Sequence, residues 1–149
     1  MLSIEANFTI KDLEKDFKNF TEAIKNDLAD KLYETLKILV DKARAKTRAE
    51  NGFGNITWNL RASIGGVIVK DHRIVHRYFP PIPLGVEGNL KGIGYAEEIA
   101  LLLDDGDLML IMVAGMEYAR YVEARERDVI SGSSLYFDQE FKRLLATSK

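Results

Sequence analysis

Two histidines, His72 and His76, stand four residues apart, the spacing at which a helix offers two ligands to one zinc ion. They fall in and beside Ile64 to Lys70 and Arg73 to Phe79, runs rich in β-branched and aromatic residues, where strands are expected. On a strand, positions four apart lie about 13 Å from each other. One metal held about 2 Å from each nitrogen cannot bridge that gap, so both are expected as solvent-facing strand histidines. Asp104, Asp105 and Asp107 surround Gly106 but lack the alternation and closing glutamate of a calcium loop; an Asp-Gly turn is expected there. The glycine pairs Gly52/Gly54 and Gly92/Gly94 match no phosphate-loop spacing. Glu97-Glu98 and Glu123 with Glu126 are the right type for paired acid–base work, yet in a chain with 23 acidic residues such pairs belong to solvated helix faces. There is no GxSxG elbow. The chain has no cysteine, which removes thiol catalysis, disulfide scaffolds, zinc ribbons and iron–sulfur sites. No catalytic, cofactor or metal constellation emerges, and the expected class is a non-enzymatic structural or interaction protein.

The elements come next. The 149 residues, 46% hydrophobic and 30% charged, suit a single domain over residues 1–149, helical over 1–48 and α+β over 49–149. Leu13, Phe17, Phe20, Ile24, Leu28, Leu32, Leu36, Leu39 and Ala43 recur in steps of three and four, one stripe on a helical period. Thr9 and Asp12 offer a capping start. A single helix from Ile10 to Arg48 would be about 58 Å long, against a radius of gyration near 15 Å for a domain of this size. Either it breaks, at the second capping pattern of Asn19 and Glu22, giving a helical hairpin in the core, or it protrudes and its stripe needs a partner chain.

Residues 49–63 read as a glycine-bearing loop into a short turn. Ile64 to Lys70 and Arg73 to Phe79 read as a hairpin about Asp71-His72, or as one long bent strand, with a bulge or close approach at Gly65-Gly66. Residues 80–94 hold all three prolines and read as a long, mobile loop. A short helix Tyr95 to Leu103, a buried strand Asp107 to Ala114, a short helix Glu117 to Ala124 with Tyr118, Tyr121 and Val122 inward, and a terminal helix from Ser133 or Ser134 through Leu145 complete the chain. The expected fold is α+β: a long N-terminal helix or helical hairpin on a small, mostly antiparallel sheet, with a C-terminal helix.

The net charge of −2 excludes a strongly basic nucleic-acid binder, but it is uneven. Residues 51–80 hold four basic residues against one acidic, net +3, and residues 81–149 hold seven against twelve, net −5. These regions can pair within the molecule or between copies. Lys42, Arg44, Lys46 and Arg48 close the first helical region, where cations complement the helix dipole; a phosphate contact is the alternative. The most apolar stretch, Leu108 to Met116, is nine residues, short of the roughly 20 that span a bilayer. Residues 1–10 lack the pattern of a signal peptide, so a cytoplasmic protein is expected.

Two segments carry a resemblance. The first is Ala43 to Ile64, a helix end followed by a glycine loop and Thr57-Trp58-Asn59-Leu60-Arg61-Ala62-Ser63-Ile64. The second is Val113 to Glu123, VAGMEYARYVE. Together, and in this order, they resemble the head–tail joining family of long-tailed bacteriophages, also described as neck, minor tail or tail-completion proteins. That family shows a basic, alanine-rich helix, a Thr-Gly-x-Leu-Arg-x-Ser-Ile-like turn, one or two strands, a Tyr-Ala-x-Tyr-Val-Glu-x-Gly-like signature and a terminal helix. Leu60, Arg61, Ser63 and Ile64 match the turn; Tyr118, Ala119, Tyr121, Val122 and Glu123 match the second signature. Asn59 stands in place of the usual glycine, Ala124-Arg125 in place of Gly-Thr, and residues 79–107 read as an insertion.

The resemblance implies a phage or prophage virion protein without enzymatic activity or cofactor. It would assemble in the bacterial cytoplasm, as a possible ring of its own copies, between head connector and tail tube, with no membrane and no specific nucleic acid. The alternative is a cytoplasmic homodimer that uses the N-terminal helix as its dimer face. Read as residues, Leu60 and Ile64 anchor the turn in the core, and Arg61 points outward or caps carbonyls at a helix end. Tyr118 and Tyr121 suit a core edge or an interface. Glu123 is expected to pair with Arg61, or with Arg73 or Arg77 of a neighbouring copy.

Overall fold

Helix α1 runs without a break from Ile10 to Ala45, 36 residues, or about 54 Å. The pattern at Asn19 and Glu22 does not interrupt it, because no proline or glycine lies within it to end the hydrogen-bond ladder. A computed structural model describes residues 10–47, 49, 52, 54, 58–103, 108–125 and 128–147. The expected Thr9 cap, the aspartates of 104–107, Arg48, Thr57, Glu126 and the side chain of Tyr121 lie outside the described residues.

The remaining elements are α2 (Asn59–Ala62), β1 (Ile64–Lys70), β2 (Arg73–Tyr78), α3 (Val86–Leu102), β3 (Leu108–Ala114), α4 (Ala119–Ala124), α5 (Ser131–Ser134) and α6 (Phe137–Ala146). The fold is α+β, a long helix on a three-stranded antiparallel sheet with a C-terminal helix, as the sequence pattern predicts. The sheet order is β2-β1-β3. The central strand β1 is apolar almost throughout because both its faces are covered. On one face, Ile64 and Ile68 pack with Leu36, Val40 and Ala43 of α1. On the other, Val67 and Val69 pack with Ala96 and Ile99 of α3 and with Ile111 and Val113 of β3. Gly66 makes the first contact close: a Cβ there would fall 2.6 Å from Leu36 Cδ1.

The hairpin turns on Asp71 and His72, both at positive φ (49° and 64°), the geometry of a two-residue loop that follows strand twist. Opposite Ile68 and Val69 the register shifts. Val75 is the extra residue, so His76 and Tyr78 face α1 while Ile74 faces α3.

The loop expected over residues 80–94 is corrected. Pro83–Gly85 form one 3-10 turn and α3 begins at Val86, so the expected helix at Tyr95 is the second half of a 17-residue helix. Its glycines are packing residues. Gly85, Gly88, Gly92 and Ala96 recur at steps of three and four and are buried. A Cβ at Gly88 would fall on the Asn59 carbonyl, and one at Gly92 would lie 2.5 Å from the Ser63 oxygen. The terminal helix is likewise two pieces, α5 and α6.

Candidate functional site

The turn motif builds a buried joint at the end of α1. Leu60, Arg61, Ser63 and Ile64 are all buried. Ser63 Oγ donates to the Leu60 carbonyl (2.7 Å), tying the turn to itself. Arg61 Nη2 donates to the Lys46 carbonyl (2.8 Å), just past the last helical residue; of the two readings, capping a helix end is the one found. Burial lowers its pKa from the ordinary arginine value.

The residue that organises this joint is Arg44, read from the sequence as complementing the helix dipole or contacting phosphate. Its Nε and Nη2 donate to the Ile64 carbonyl (2.9 and 2.6 Å), Nη2 also to Ala62 (3.0 Å), and Nη1 to Pro80 (2.5 Å). One guanidinium thereby joins α1, the α2 turn, β1 and the segment after β2. Desolvation brings its pKa down to about 10, so it remains charged at neutral pH. Lys42 sits 3.4 Å from Glu140 and over the Tyr136 ring, and Lys46 is paired with Asp128. These three cations hold the chain together, which replaces the phosphate contact as their reading.

The second signature lies against the same core. Ala119 is buried and Val122 half-buried in the cluster that contains Leu60 and Ile64, so the fold brings the two motifs together. Tyr118, expected inward, is 41% exposed. Glu123 does not pair with Arg61. Its Oε1 accepts the backbone N–H groups of Val129, Ile130 and Ser131 (3.3, 2.9 and 2.9 Å), and its Oε2 accepts the Ser131 hydroxyl (2.9 Å). Burial pushes this carboxyl up, but the hydrogen bonds from Ile130, Ser131 and Val129 together hold it below the usual glutamate range. Its role is to shape the turn into α5. The +3 and −5 regions do meet within the molecule: Arg77 pairs with Glu97 at 3.0 Å.

The histidine expectation is corrected in part. His72 is exposed in the hairpin turn rather than on a strand. His76 is half-buried, stacked on Tyr33 (centroids 4.4 Å apart, planes 11°) and 3.3 Å from Asp30. Among the described residues no three histidine or acidic side chains are grouped to hold a metal ion, and no helix is long and apolar enough to cross a membrane.

What the fold leaves uncovered is the outer half of α1. The helix buries Ala29, Leu32, Leu36, Leu39 and Val40, but the same stripe continues outward through Ile10, Leu13, Phe17, Phe20 and Ile24, all exposed, with Phe17 at 73% and Phe20 at 64%. Charged straps hold the helix at this level: Lys70 to Glu22 at 3.0 Å and Lys25 to Asp71 at 3.1 Å. Beyond Glu22 the helix projects past the sheet. A row of exposed aromatic and aliphatic side chains on one helix face is the kind of surface on which protein docking is built. No family model, curated protein or solved structure matches the chain.

Proposed function

We propose that the chain is a structural assembly protein that docks onto another protein through the outer half of α1, of the kind that joins head to tail in long-tailed bacteriophages. The observation that carries the docking role is the stripe Ile10, Leu13, Phe17, Phe20 and Ile24, which continues the helix's buried face into solvent. Phe17 and Phe20 there are left largely exposed, and clustered exposed aromatics mark interaction surfaces. The phage setting is supported by the resemblance of Leu60–Ile64 and Tyr118–Glu123 to the signatures of the joining family, and by their meeting in one core. Under this reading the two signatures position the docking helix; they do not themselves touch the partner.

Deleting the gene from the phage or prophage that carries it tests the reading. The expected result is DNA-filled heads and separate tails by electron microscopy. Normal joined virions would overturn it.

A homodimer built on α1 alone is the second reading. The 3-4-3-4 spacing of the stripe, that of a coiled-coil seam, favours it. The positions that flank that seam carry Glu14 and Thr21 on one side and Asp16 and Ala23 on the other, so no pairs of opposite charge are available there to fix a second α1 against it. The flanks suit a partner surface that is not a second α1.

A further inference from the structure

The two edges of the sheet differ. At β2 the edge is blunted by the bulge at Val75, by Arg73 and Arg77, and by Tyr33, whose hydroxyl donates to the Arg77 carbonyl at 3.4 Å. Strand β3 has no such protection. Its seven residues Leu108–Ala114 carry no charge, proline or glycine, and among the described residues it pairs with β1 alone. Gly115 N–H donates to the Ser63 carbonyl, which sets the phase of the ladder. Ile64↔Ala114, Gly66↔Met112 and Ile68↔Leu110 are then the pairs without mutual hydrogen bonds. The backbone N–H and C=O groups of Leu110, Met112 and Ala114 therefore point away from β1, toward the free edge.

Space lies along that edge on both faces. A groove of about 500 Å³ is walled by Tyr95 and Ile99 of α3 on one side and by Arg120 and Ile130 on the other. A second cavity of about 440 Å³ lies on the α1 side, lined by Leu32, Leu39 and Phe137. An added strand would place alternate side chains into an apolar cavity and into a groove containing a cation. Arg120 is exposed and makes no hydrogen bond or ion pair among the described residues.

Residues 2–8 have the complementary pattern in sequence. Leu2, Ile4, Ala6 and Phe8 alternate strictly with Ser3, Glu5 and Asn7, the period of a strand with one apolar face. The segment matches β3 in length, and its one charge, Glu5, lies mid-way along the polar face. It cannot seat along the length of β3 of its own chain. Lys70 pairs with Leu108 and with Glu22, which places the near end of β3 level with Glu22. Ile10 stands about 18 Å farther out along α1, and Met112 lies about 13 Å in along β3, so the six residues from Ile4 to Ile10, which span about 20 Å at most, cannot bring Ile4 beside Met112.

We propose that residues 2–8 of one copy add as a fourth strand to the β3 edge of a second copy. Because Ile10 follows almost at once, the seated strand carries the exposed stripe of α1 onto the same acceptor. The contact is head-to-tail, so it propagates to a ring or a chain of copies. It rests on the assembly reading but not on the phage setting.

The chain has no cysteine, so introduced pairs report cleanly. Ile4→Cys chains are mixed with chains carrying Met112→Cys, and in parallel with Leu110→Cys, then oxidised mildly; each acceptor variant is first checked for an unchanged thermal midpoint. The expected result is a two-chain disulfide in the mixtures, and multimers rather than internally closed monomers from Ile4→Cys/Met112→Cys in one chain. Glu5→Arg is expected to weaken self-association about tenfold and Arg120→Glu to restore it. Absence of cross-links in every mixture, or internal closure alone in the double variant, overturns the proposal. Normal virion joining by variants that no longer cross-link, or after deletion of the gene, would count against the phage setting and leave the strand exchange to be judged on the cross-links alone.

Discussion

Arg44 holds the Ile64 carbonyl through two of its nitrogens, Nε at 2.9 Å and Nη2 at 2.6 Å. This one contact fixes where α1 ends relative to the first strand, and so sets the direction in which the outer half of the helix projects. Replacing Arg44 with Ala strands the Ile64, Ala62 and Pro80 carbonyls. The expected cost is about 2–4 kcal/mol, since bonds to a charged group contribute roughly 1.5–3 kcal/mol each and part of the loss is recovered by water. Arg44→Lys should recover less than half, because an ammonium cannot span three carbonyls. Urea denaturation of both variants measures this; equal stability of Arg44→Ala and the parent contradicts it.

Glu123 makes stability depend on pH. Its folded pKa is depressed, so its contribution is full above the ordinary glutamate range and is lost as pH falls through the lower, folded value. Glu123→Gln is therefore expected to be about 1 kcal/mol less stable than the parent at pH 7. The gap should close as both are titrated below about pH 4. Denaturation midpoints across pH 3 to 8 decide it, and a gap constant with pH counts against the turn-shaping role.

Gly88 and Gly94 lie in the same helix and should respond oppositely to alanine. A Cβ at Gly88 meets the Asn59 backbone, whereas one at Gly94 meets nothing within 4 Å. Gly88→Ala is expected to cost about 1–3 kcal/mol through overpacking. Gly94→Ala should stabilise by about 0.5–1 kcal/mol through helix propensity. Thermal midpoints of the two variants test the assignment of the 86–94 segment to α3.

That segment shows where the sequence misleads. Pro80, Pro81 and Pro83 with Gly85, Gly88, Gly92 and Gly94 form a composition that reads as loop. The spacing of Gly85, Gly88, Gly92 and Ala96 carried the helical signal, but small residues add little to a hydrophobic pattern and their partner, the α2 backbone, is distant in sequence. The apolar stripe of α1 and the strands β1 and β3 were legible because apolar periodicity alone defines them; whether the stripe ran as one helix or two, and whether residues 64–79 formed a hairpin or one bent strand, the periodicity left open. Arg44 was not legible: its partners are backbone carbonyls of residues 62, 64 and 80, and carbonyls have no sequence signature. For the same reason Glu123 read as an ion-pair candidate when its partners are amides. The exposed stripe was legible as a stripe, and only the fold showed where its burial stops.

His76 is expected to hold the hairpin to α1 through its stack on Tyr33 and its contact with Asp30. His76→Ala should cost about 0.5–1.5 kcal/mol, as should Tyr33→Ala beyond its own burial, and the double variant should cost less than the sum. Strict additivity in a double-mutant cycle contradicts the stack as a stabilising contact.

The central claim is that the outer half of α1 is a docking surface rather than a structural element of its own chain. Sedimentation equilibrium of the parent and of Phe17→Glu/Phe20→Glu over a concentration series tests it, with thermal midpoints measured on the same samples. The expected result is a parent that self-associates with rising concentration and a variant that remains a single chain, with midpoints within about 1 °C of each other at the lowest concentration, where both are single chains, because neither phenylalanine is buried. A variant that associates like the parent, or one that unfolds several degrees earlier at that dilution, would contradict it.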